Sequence, residues 1–128
     1  MKRILLVDDD DPLRQTCARI LTRAGFQVIE VCNGNEAIAT LRVTSVDLMI
    51  TDLIMPEKEG IEVISAVRIS HPGLPIIAIS GGGRVSAGDY LEIAQKIGAN
   101  VALAKPFSGA TLIAEINRLL HIEPLMSA

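Results

Sequence analysis

"ILLVDDDDPLR", residues 4–14, joins a short apolar run to four consecutive aspartates. A run of Ile, Leu and Val without polar alternation is typical of a parallel β-strand that is buried on both faces. The aspartates that follow would repel one another unless positive charge or a bound cation offsets them. We therefore expect a buried strand whose carboxyl end carries a charged site.

The same alternation of a short apolar run with a longer amphipathic one occurs five times along the chain. The predicted strands are Arg3–Val7, Phe26–Val31, Asp47–Thr51, Pro75–Ile79 and Val101–Ala104. Five such units with short connections predict one α/β domain with a flavodoxin-like (βα)5 doubly wound parallel sheet and strand order 2-1-3-4-5. We assign residues 1–121 to this domain and residues 122–128 to a short tail.

Apolar residues at helical spacing predict a helix after each strand. In chain order they are Leu13, Cys17, Ile20 and Leu21; Ala37, Ile38 and Leu41; Ile61, Ile64 and Val67; Tyr90, Ile93, Ala94 and Ile97; and Leu112, Ile113, Ile116, Leu119 and Leu120. Asp11, which precedes Pro12, is the predicted N-cap of the first helix, and Ser108 is that of the fifth. Gly98 is predicted to follow the end of the fourth helix.

The composition excludes several classes of protein. The net charge is −3 and the 12 Lys and Arg are scattered, so direct nucleic-acid binding is not expected. No apolar run is long enough to span a membrane, and Ile4–Val7 is too short for the apolar part of a signal peptide. Cys17 and Cys32 lack C-x-x-C spacing and are interpreted as two buried thiols in a reducing compartment. We expect a cytoplasmic protein without membrane insertion.

Polar residues follow four of the predicted strands. Asp8 and Asp9 follow the first strand, Asp52 the third, Ser80 the fourth and Lys105 the fifth. Because ligands of doubly wound sheets bind outside the carboxyl ends of the strands, these groups are expected to converge at one edge. Carboxylates without His or Cys suit Mg²⁺. Together with a lysine and a hydroxyl they would also receive a phosphoryl group, and one carboxylate can itself act as the nucleophile.

The four aspartates are expected to differ in role. Asp8 and Asp9 are the candidates for metal binding. Asp11 is expected to cap the first helix, where the helix dipole favours a negative charge. Asp10 is expected to be solvated.

Four segments together resemble the receiver domain of two-component response regulators. They are "ILLVDDDDPLR" from residue 4, "LMITDLIMPEKEG" from residue 48, "PIIAISGGG" from residue 75 and "ALAKPF" from residue 102. The resemblance extends over residues 3 to 121. It implies that Asp52 is the phosphoacceptor, and that Asp8, Asp9, Asp52 and the backbone carbonyl of Ile54 hold Mg²⁺.

The resemblance also assigns the hydroxyl and the lysine. Ser80 matches the Ser/Thr that binds the phosphoryl group, Lys105 matches the lysine that pairs with it, and the peptide bond between Lys105 and Pro106 matches a cis bond of the family. The implied phosphodonor is a sensor histidine kinase or a histidine phosphotransfer protein. With no output domain expected on the chain, the implied output is the binding of a downstream protein through the fourth helix, fifth strand and fifth helix, or onward phosphotransfer.

Two features differ from the pattern of the family. Ala102 stands three positions before Lys105, where an aromatic residue is common, so an aromatic rotamer switch is not expected. The interval from Ser80 to Lys105 is a few residues longer than usual, and the excess falls at Gly81–Val85. We hypothesise that this glycine-rich loop is mobile and carries the change in output.

Two other classes of function remain as alternatives. An Mg²⁺-dependent phosphohydrolase of the haloacid dehalogenase type also uses an aspartyl nucleophile, and Asp8 and Asp10 fit its D-x-D start. Its usual Gly/Thr continuation and its cap insertion are absent from the sequence. A flavin-binding flavodoxin would need aromatic side chains around the flavin ring, whereas the chain has no Trp and one Tyr.

Overall fold

The computed structural model describes residues 1–53, 60–80, 92 and 95–122. Five parallel strands form one sheet in the order β2-β1-β3-β4-β5, which confirms the predicted fold class. The strands are β1 (Arg3–Val7), β2 (Gln27–Val31), β3 (Leu48–Asp52), β4 (Ile76–Ser80) and β5 (Val101–Ala104). β3 and β4 each begin and end one residue later than predicted, so that Asp52 and Ser80 are the last residues of their strands.

The helices follow the strands as expected. They are α1 (Asp11–Arg23), α2 (Gly34–Val43), α3 (Gly60–Ser70) and α4 (Gly109–Leu120), the last being the predicted fifth helix. Residues 92 and 95–97 are also helical. They end before Gly98, whose φ is 130°, as predicted. The other residues of the predicted fourth helix lie outside the described residues, as do Ile54 and Gly81–Val85. Within the described ranges no helix is long and apolar enough to cross a membrane.

The sheet separates two apolar clusters because successive side chains of a strand point to opposite faces. In β1, Ile4 and Leu6 pack with residues of α1 and α4, whereas Leu5 and Val7 pack with residues of α2 and α3. Every residue of β3 and of β4 is buried. The strand ends are therefore fixed by cores on both faces.

The prediction for the start of α1 is wrong by one residue. Asp10, not Asp11, is the N-cap, and its side chain accepts a hydrogen bond from Leu13 N at 3.1 Å. The chain enters the helix early because Asp10 N–H donates to Asp8 Oδ1 at 3.0 Å, which turns the chain directly after β1. Asp11 lies in the first helical turn, where its charge is still favourable.

Candidate functional site

The register of the sheet brings three of the predicted site residues to one edge and one face. Asp8 continues the row of Ile4 and Leu6, and Asp52 ends the row that contains Ile50. Lys105 follows β5, and its N–H donates to the carbonyl of Ser80 at 2.8 Å. Asp8 and Asp52 are each only 8% exposed. Asp8 and Asp52 thus continue rows of side chains whose preceding members, Leu6 and Ile50, are apolar and buried.

The carboxylates and the ammonium are close together. One carboxylate oxygen from each of Asp8, Asp9 and Asp52 lies within 4.8 Å of the other two. Lys105 Nζ donates to Asp52 Oδ2 at 3.1 Å. The lysine offsets part of the repulsion among the carboxylates, but three negative charges face one positive charge.

The surroundings of Asp8 raise the pKa of its carboxyl group. Loss of hydration is the main factor that raises the pKa of the Asp8 carboxyl, while the hydrogen bond from Asp10 N–H lowers it; the neighbouring Asp52 charge raises it further. A carboxyl whose pKa is higher in the folded than in the unfolded state costs stability when it is ionised. At neutral pH the ionised Asp8 carboxylate therefore lowers the free energy of unfolding.

We expect Asp8→Asn to raise the free energy of unfolding of the metal-free protein by about 1 kcal/mol at pH 7. The asparagine removes the buried charge and can still accept the hydrogen bond from Asp10 N–H. The gain should be full above the raised pKa of Asp8 and should disappear below its ordinary value of 3.8, where both proteins are uncharged at this position. Chemical denaturation across pH measures it, and a loss of stability at pH 7 would contradict it.

The three carboxylates form a donor set that fits a hard divalent cation. All the donors are oxygens, and among the described residues this is the group of acidic, His or Cys side chains that lies close enough to hold one ion. Two of its members are buried and Asp9 is exposed, so the set faces solvent on one side. Mg²⁺ commonly binds through one or two carboxylates while it keeps several waters, which this half-open arrangement allows.

Ser80 ends β4, the strand next to β3, but its side chain lies on the other face of the sheet from Asp52. It continues the row of Ile76 and Ala78, which packs toward α2 and α3. Its side chain is fully buried, and its Oγ has no hydrogen-bond partner among the described residues. An unpaired buried hydroxyl is costly, so one that persists next to a charged site is a candidate ligand group.

A cavity of about 280 Å³ opens beside the carboxylates. Asp8, Asp52 and Lys105 line it together with apolar side chains of the sheet, α1 and α4. Cys17 also lines it, and burial raises the pKa of this thiol to about 11. Cys17 is therefore a protonated, half-buried packing residue. Cys32, directly after β2, is exposed, so the prediction that both thiols are buried is wrong.

Two residues with contacts to the site were not identified from the sequence. Arg14 Nη1 donates to the backbone carbonyl of Asp8 at 2.9 Å. Gly60 approaches the backbone of Asp52 and Leu53 so closely that a Cβ atom would lie 2.6 Å from Leu53 Cα. The spacing of Asp11 and Arg14, three residues apart on a helix, could have signalled the arginine. Nothing in the spacing signalled the glycine.

Comparison with known proteins agrees with this geometry. The family described as "Response regulator receiver domain" matches residues 4–117. The response regulator receiver protein CpdR of Brucella abortus is 35% identical over 120 residues, which are 94% of this chain and 98% of that protein. The transcriptional regulatory protein CpxR of Escherichia coli is 37% identical over 121 residues, which are 94% of this chain but 50% of that protein. The chain thus spans half the length of CpxR.

Solved structures give the same fold. A CheY-like response regulator receiver domain protein from Methanospirillum hungatei superimposes with a TM-score of 0.87 at 26% identity, covering 94% of each chain. The receiver domain of NtrX from Brucella abortus gives a TM-score of 0.86 at 27% identity, covering 94% of this chain and 99% of that one.

Proposed function

The chain belongs to the response regulator receiver domains of two-component systems, and on this premise we propose that Asp52 is its phosphoacceptor. The observation that carries the proposal is the 3.1 Å ion pair between Asp52 and Lys105 within the acidic group. It sets one buried carboxylate between a positive charge and two further acidic residues, Asp8 and Asp9. A receiver domain is a signalling module and not a classical enzyme.

In the proposed reaction a carboxylate oxygen of Asp52 attacks the phosphorus of a phosphohistidine. A P–O bond forms while the P–N bond breaks, and the donor histidine leaves with the electron pair and takes up a proton. Lys105, held at 3.1 Å from Asp52 Oδ2, is placed to balance the charge of the transferred phosphoryl oxygens. The hydroxyl of Ser80, which has no partner among the described residues, is proposed to rotate toward the site and donate to another of these oxygens.

Receiver domains in general bind Mg²⁺, and the acidic group fits it. We assign Asp8, Asp9 and Asp52 as the residues that would hold the ion, with the carbonyl of Ile54, outside the described residues, as a further ligand. When bound, Mg²⁺ supplies charge neutralisation for the phosphoryl oxygens and the carboxylates. Asp8 and Asp9 then serve to hold and orient it beside Asp52.

The proposed donor is a sensor histidine kinase or a histidine phosphotransfer protein, since receiver domains receive phosphoryl groups from histidine kinases. Self-catalysed phosphorylation from small phosphodonors, self-dephosphorylation and a cytoplasmic location are parts of the same proposal. The proposed output is phosphorylation-dependent protein binding or onward phosphotransfer. The phosphohydrolase alternative is not favoured, because the family match and the relatives are receiver proteins.

Ser80→Ala separates the stability of the protein from its function. The change removes a buried hydroxyl without a partner, so the free energy of unfolding should stay unchanged or rise by up to about 1 kcal/mol. Binding of beryllofluoride, a phosphoryl mimic, should weaken about ten-fold because one hydrogen bond to a charged ligand is lost. Denaturation and a beryllofluoride titration in the presence of Mg²⁺ measure the two effects. A clear loss of stability would show that the hydroxyl is bonded in the free protein.

The proposal is tested by measuring the mass of the intact protein after incubation with acetyl phosphate and Mg²⁺. We expect a gain of one phosphoryl group, which should disappear in Asp52→Asn and in samples with excess chelator. Asp47→Asn is a matched control, because Asp47 is an acidic residue at the opposite end of β3 and its Oδ2 accepts from Arg3 N at 2.7 Å. Equal phosphorylation of Asp52→Asn and the native protein would reject the proposal.

A further inference from the structure

Arg14 holds together the segment that carries the acidic pair. It lies in the first turn of α1, and its side chain is only 12% exposed. Nη1 donates to Asp11 Oδ1 at 2.6 Å and to the carbonyl of Asp8 at 2.9 Å, and Nε donates to Glu30 Oε1 at 3.1 Å. One planar guanidinium thus joins the end of β1, the start of α1 and β2.

These contacts complete the restraint on Asp8. Its N–H donates to the carbonyl of Val31 at 3.2 Å, its Oδ1 accepts from Asp10 N–H at 3.0 Å, and its carbonyl accepts from Arg14. Among the bonds that Asp8 makes with the described residues, the bond from Arg14 has a side-chain donor. Because the carbonyl of Asp8 and the N–H of Asp9 share one rigid peptide plane, Arg14 fixes the directions in which both acidic residues leave the backbone.

We infer that Arg14 is a positioning residue for the divalent-cation site, acting through the Asp8–Asp9 peptide. The inference rests on the proposed function, which places Mg²⁺ on these carboxylates. Groups that orient the ligands of a metal, without touching the metal, typically contribute ten-fold or more to its affinity. The same arginine also neutralises Asp11 and Glu30, which would otherwise add to the negative charge next to the site.

Positioning and charge predict opposite effects, which makes the inference testable. If Arg14 acted only as a nearby positive charge, its removal would strengthen Mg²⁺ binding, because less positive charge would repel the cation. If Arg14 positions the peptide, its removal weakens binding. A lysine keeps the charge but cannot reach three acceptors with one planar group, so it should also weaken binding.

The experiment is a Mg²⁺ titration of the folded, metal-free protein, followed by amide chemical shifts and by calorimetry. We expect Arg14→Gln to weaken Mg²⁺ binding about ten-fold and Arg14→Lys to weaken it several-fold. Arg19→Gln, which removes an exposed positive charge from the same helix, should bind at least as tightly as the native protein. Thermal unfolding of each metal-free variant sets a temperature at which all of them are folded.

The outcomes distinguish this inference from the proposed function. Native-like or tighter Mg²⁺ binding by folded Arg14→Gln, with binding intact in the native protein, would overturn the positioning role alone. Unchanged binding by Arg14→Lys together with tighter binding by Arg14→Gln would likewise reduce Arg14 to a charge. A native protein that takes up no Mg²⁺ would instead overturn the metal site of the proposed function, and the inference with it.

Discussion

Gly60→Ala is expected to destabilise the protein by about 3 kcal/mol or more and to slow phosphorylation of Asp52 by about ten-fold or more. Gly60 is the first residue of α3, and its N–H donates to the carbonyl of Leu53 at 3.0 Å. An added Cβ would overlap the carbonyl oxygen of Asp52 and would lie 2.9 Å from its carbonyl carbon. Because these are backbone atoms and not the end of a flexible side chain, moving them to relieve the overlap costs a large amount of free energy.

The functional part of this prediction follows from where the clash falls. The atoms that must move belong to Asp52 and Leu53, so relief of the overlap displaces the phosphoacceptor relative to Lys105 and Asp8. Misplacement of a reacting group by about 1 Å can cost two orders of magnitude in rate. The phosphorylation rate with acetyl phosphate is therefore measured below the unfolding temperature of the variant.

Gly73→Ala is the matched control. An added Cβ at Gly73 meets nothing within 4 Å, and Gly73 is not among the glycines with positive φ. This substitution should leave stability unchanged or raise it slightly, since it restricts the unfolded chain. Equal unfolding free energies for the two alanine variants would refute the close approach of α3 to the backbone of β3.

Arg68→Met is expected to lower the free energy of unfolding by about 3 kcal/mol without slowing phosphorylation of the folded protein. The side chain of Arg68 donates to five acceptors in the two segments that precede β4 and β5. They are the carbonyls of His71, Pro72, Leu74 and Gly98 and the Oδ1 atom of Asn100.

The free energy of unfolding falls because all these acceptors lose their charged donor together. Methionine retains only the packing of the aliphatic part of the arginine side chain. Asn100 Oδ1 also accepts from Ile76 N at 2.9 Å, so the arginine is connected directly to the start of β4. Phosphorylation should not change because these contacts lie at the edge of the sheet opposite to Asp52.

Arg118→Met provides the comparison. Arg118 on α4 is 62% exposed and pairs with Glu115 one turn away, so its loss should cost no more than about 0.5 kcal/mol. The denaturant midpoints of the two variants measure the difference in their stabilities. If Arg68→Met were as stable as Arg118→Met, the hydrogen bonds of Arg68 would contribute nothing net to folding.

The sequence alone predicts the sheet well, for a simple physical reason. Strands that are buried on both faces need continuous Ile, Val and Leu, and that pattern locates them to within one residue here. The error at α1 has an equally physical origin. Four adjacent aspartates are all competent N-caps, and the hydrogen bond from Asp10 N–H to the Asp8 carboxylate favours Asp10.

The site is predictable to the extent that it depends on strand ends. Asp8, Asp52 and Lys105 come together because parallel strands end at the same edge, and the ion pair of Asp52 with Lys105 follows from adjacency in the sheet. The approach of Gly60 and the bond from Arg14 to the carbonyl of Asp8 depend on three-dimensional backbone positions. The spacing of Asp11 and Arg14 indicates only the ion pair within α1, and no residue pattern encodes the approach of Gly60.

The hypothesis about the glycine-rich loop stays a prediction, because Gly81–Val85 lies outside the described residues. The structure does describe Ala102, which is half-buried in β5 and is the register partner of Ala78. Position 102 therefore provides no aromatic side chain whose rotamer could change together with that of Ser80. A change in output therefore has to use other groups, and comparison of loop flexibility with and without beryllofluoride tests the loop directly.

The most direct test of the account is to locate the phosphoryl group. Borohydride reduces an aspartyl-phosphate to homoserine, and peptide mass spectrometry then identifies the residue. After treatment with acetyl phosphate and Mg²⁺, we expect homoserine at position 52 and unmodified aspartate at positions 8 and 9. Homoserine at Asp8 or Asp9, or a stable phosphate ester on Ser80 with Asp52 unchanged, would contradict it.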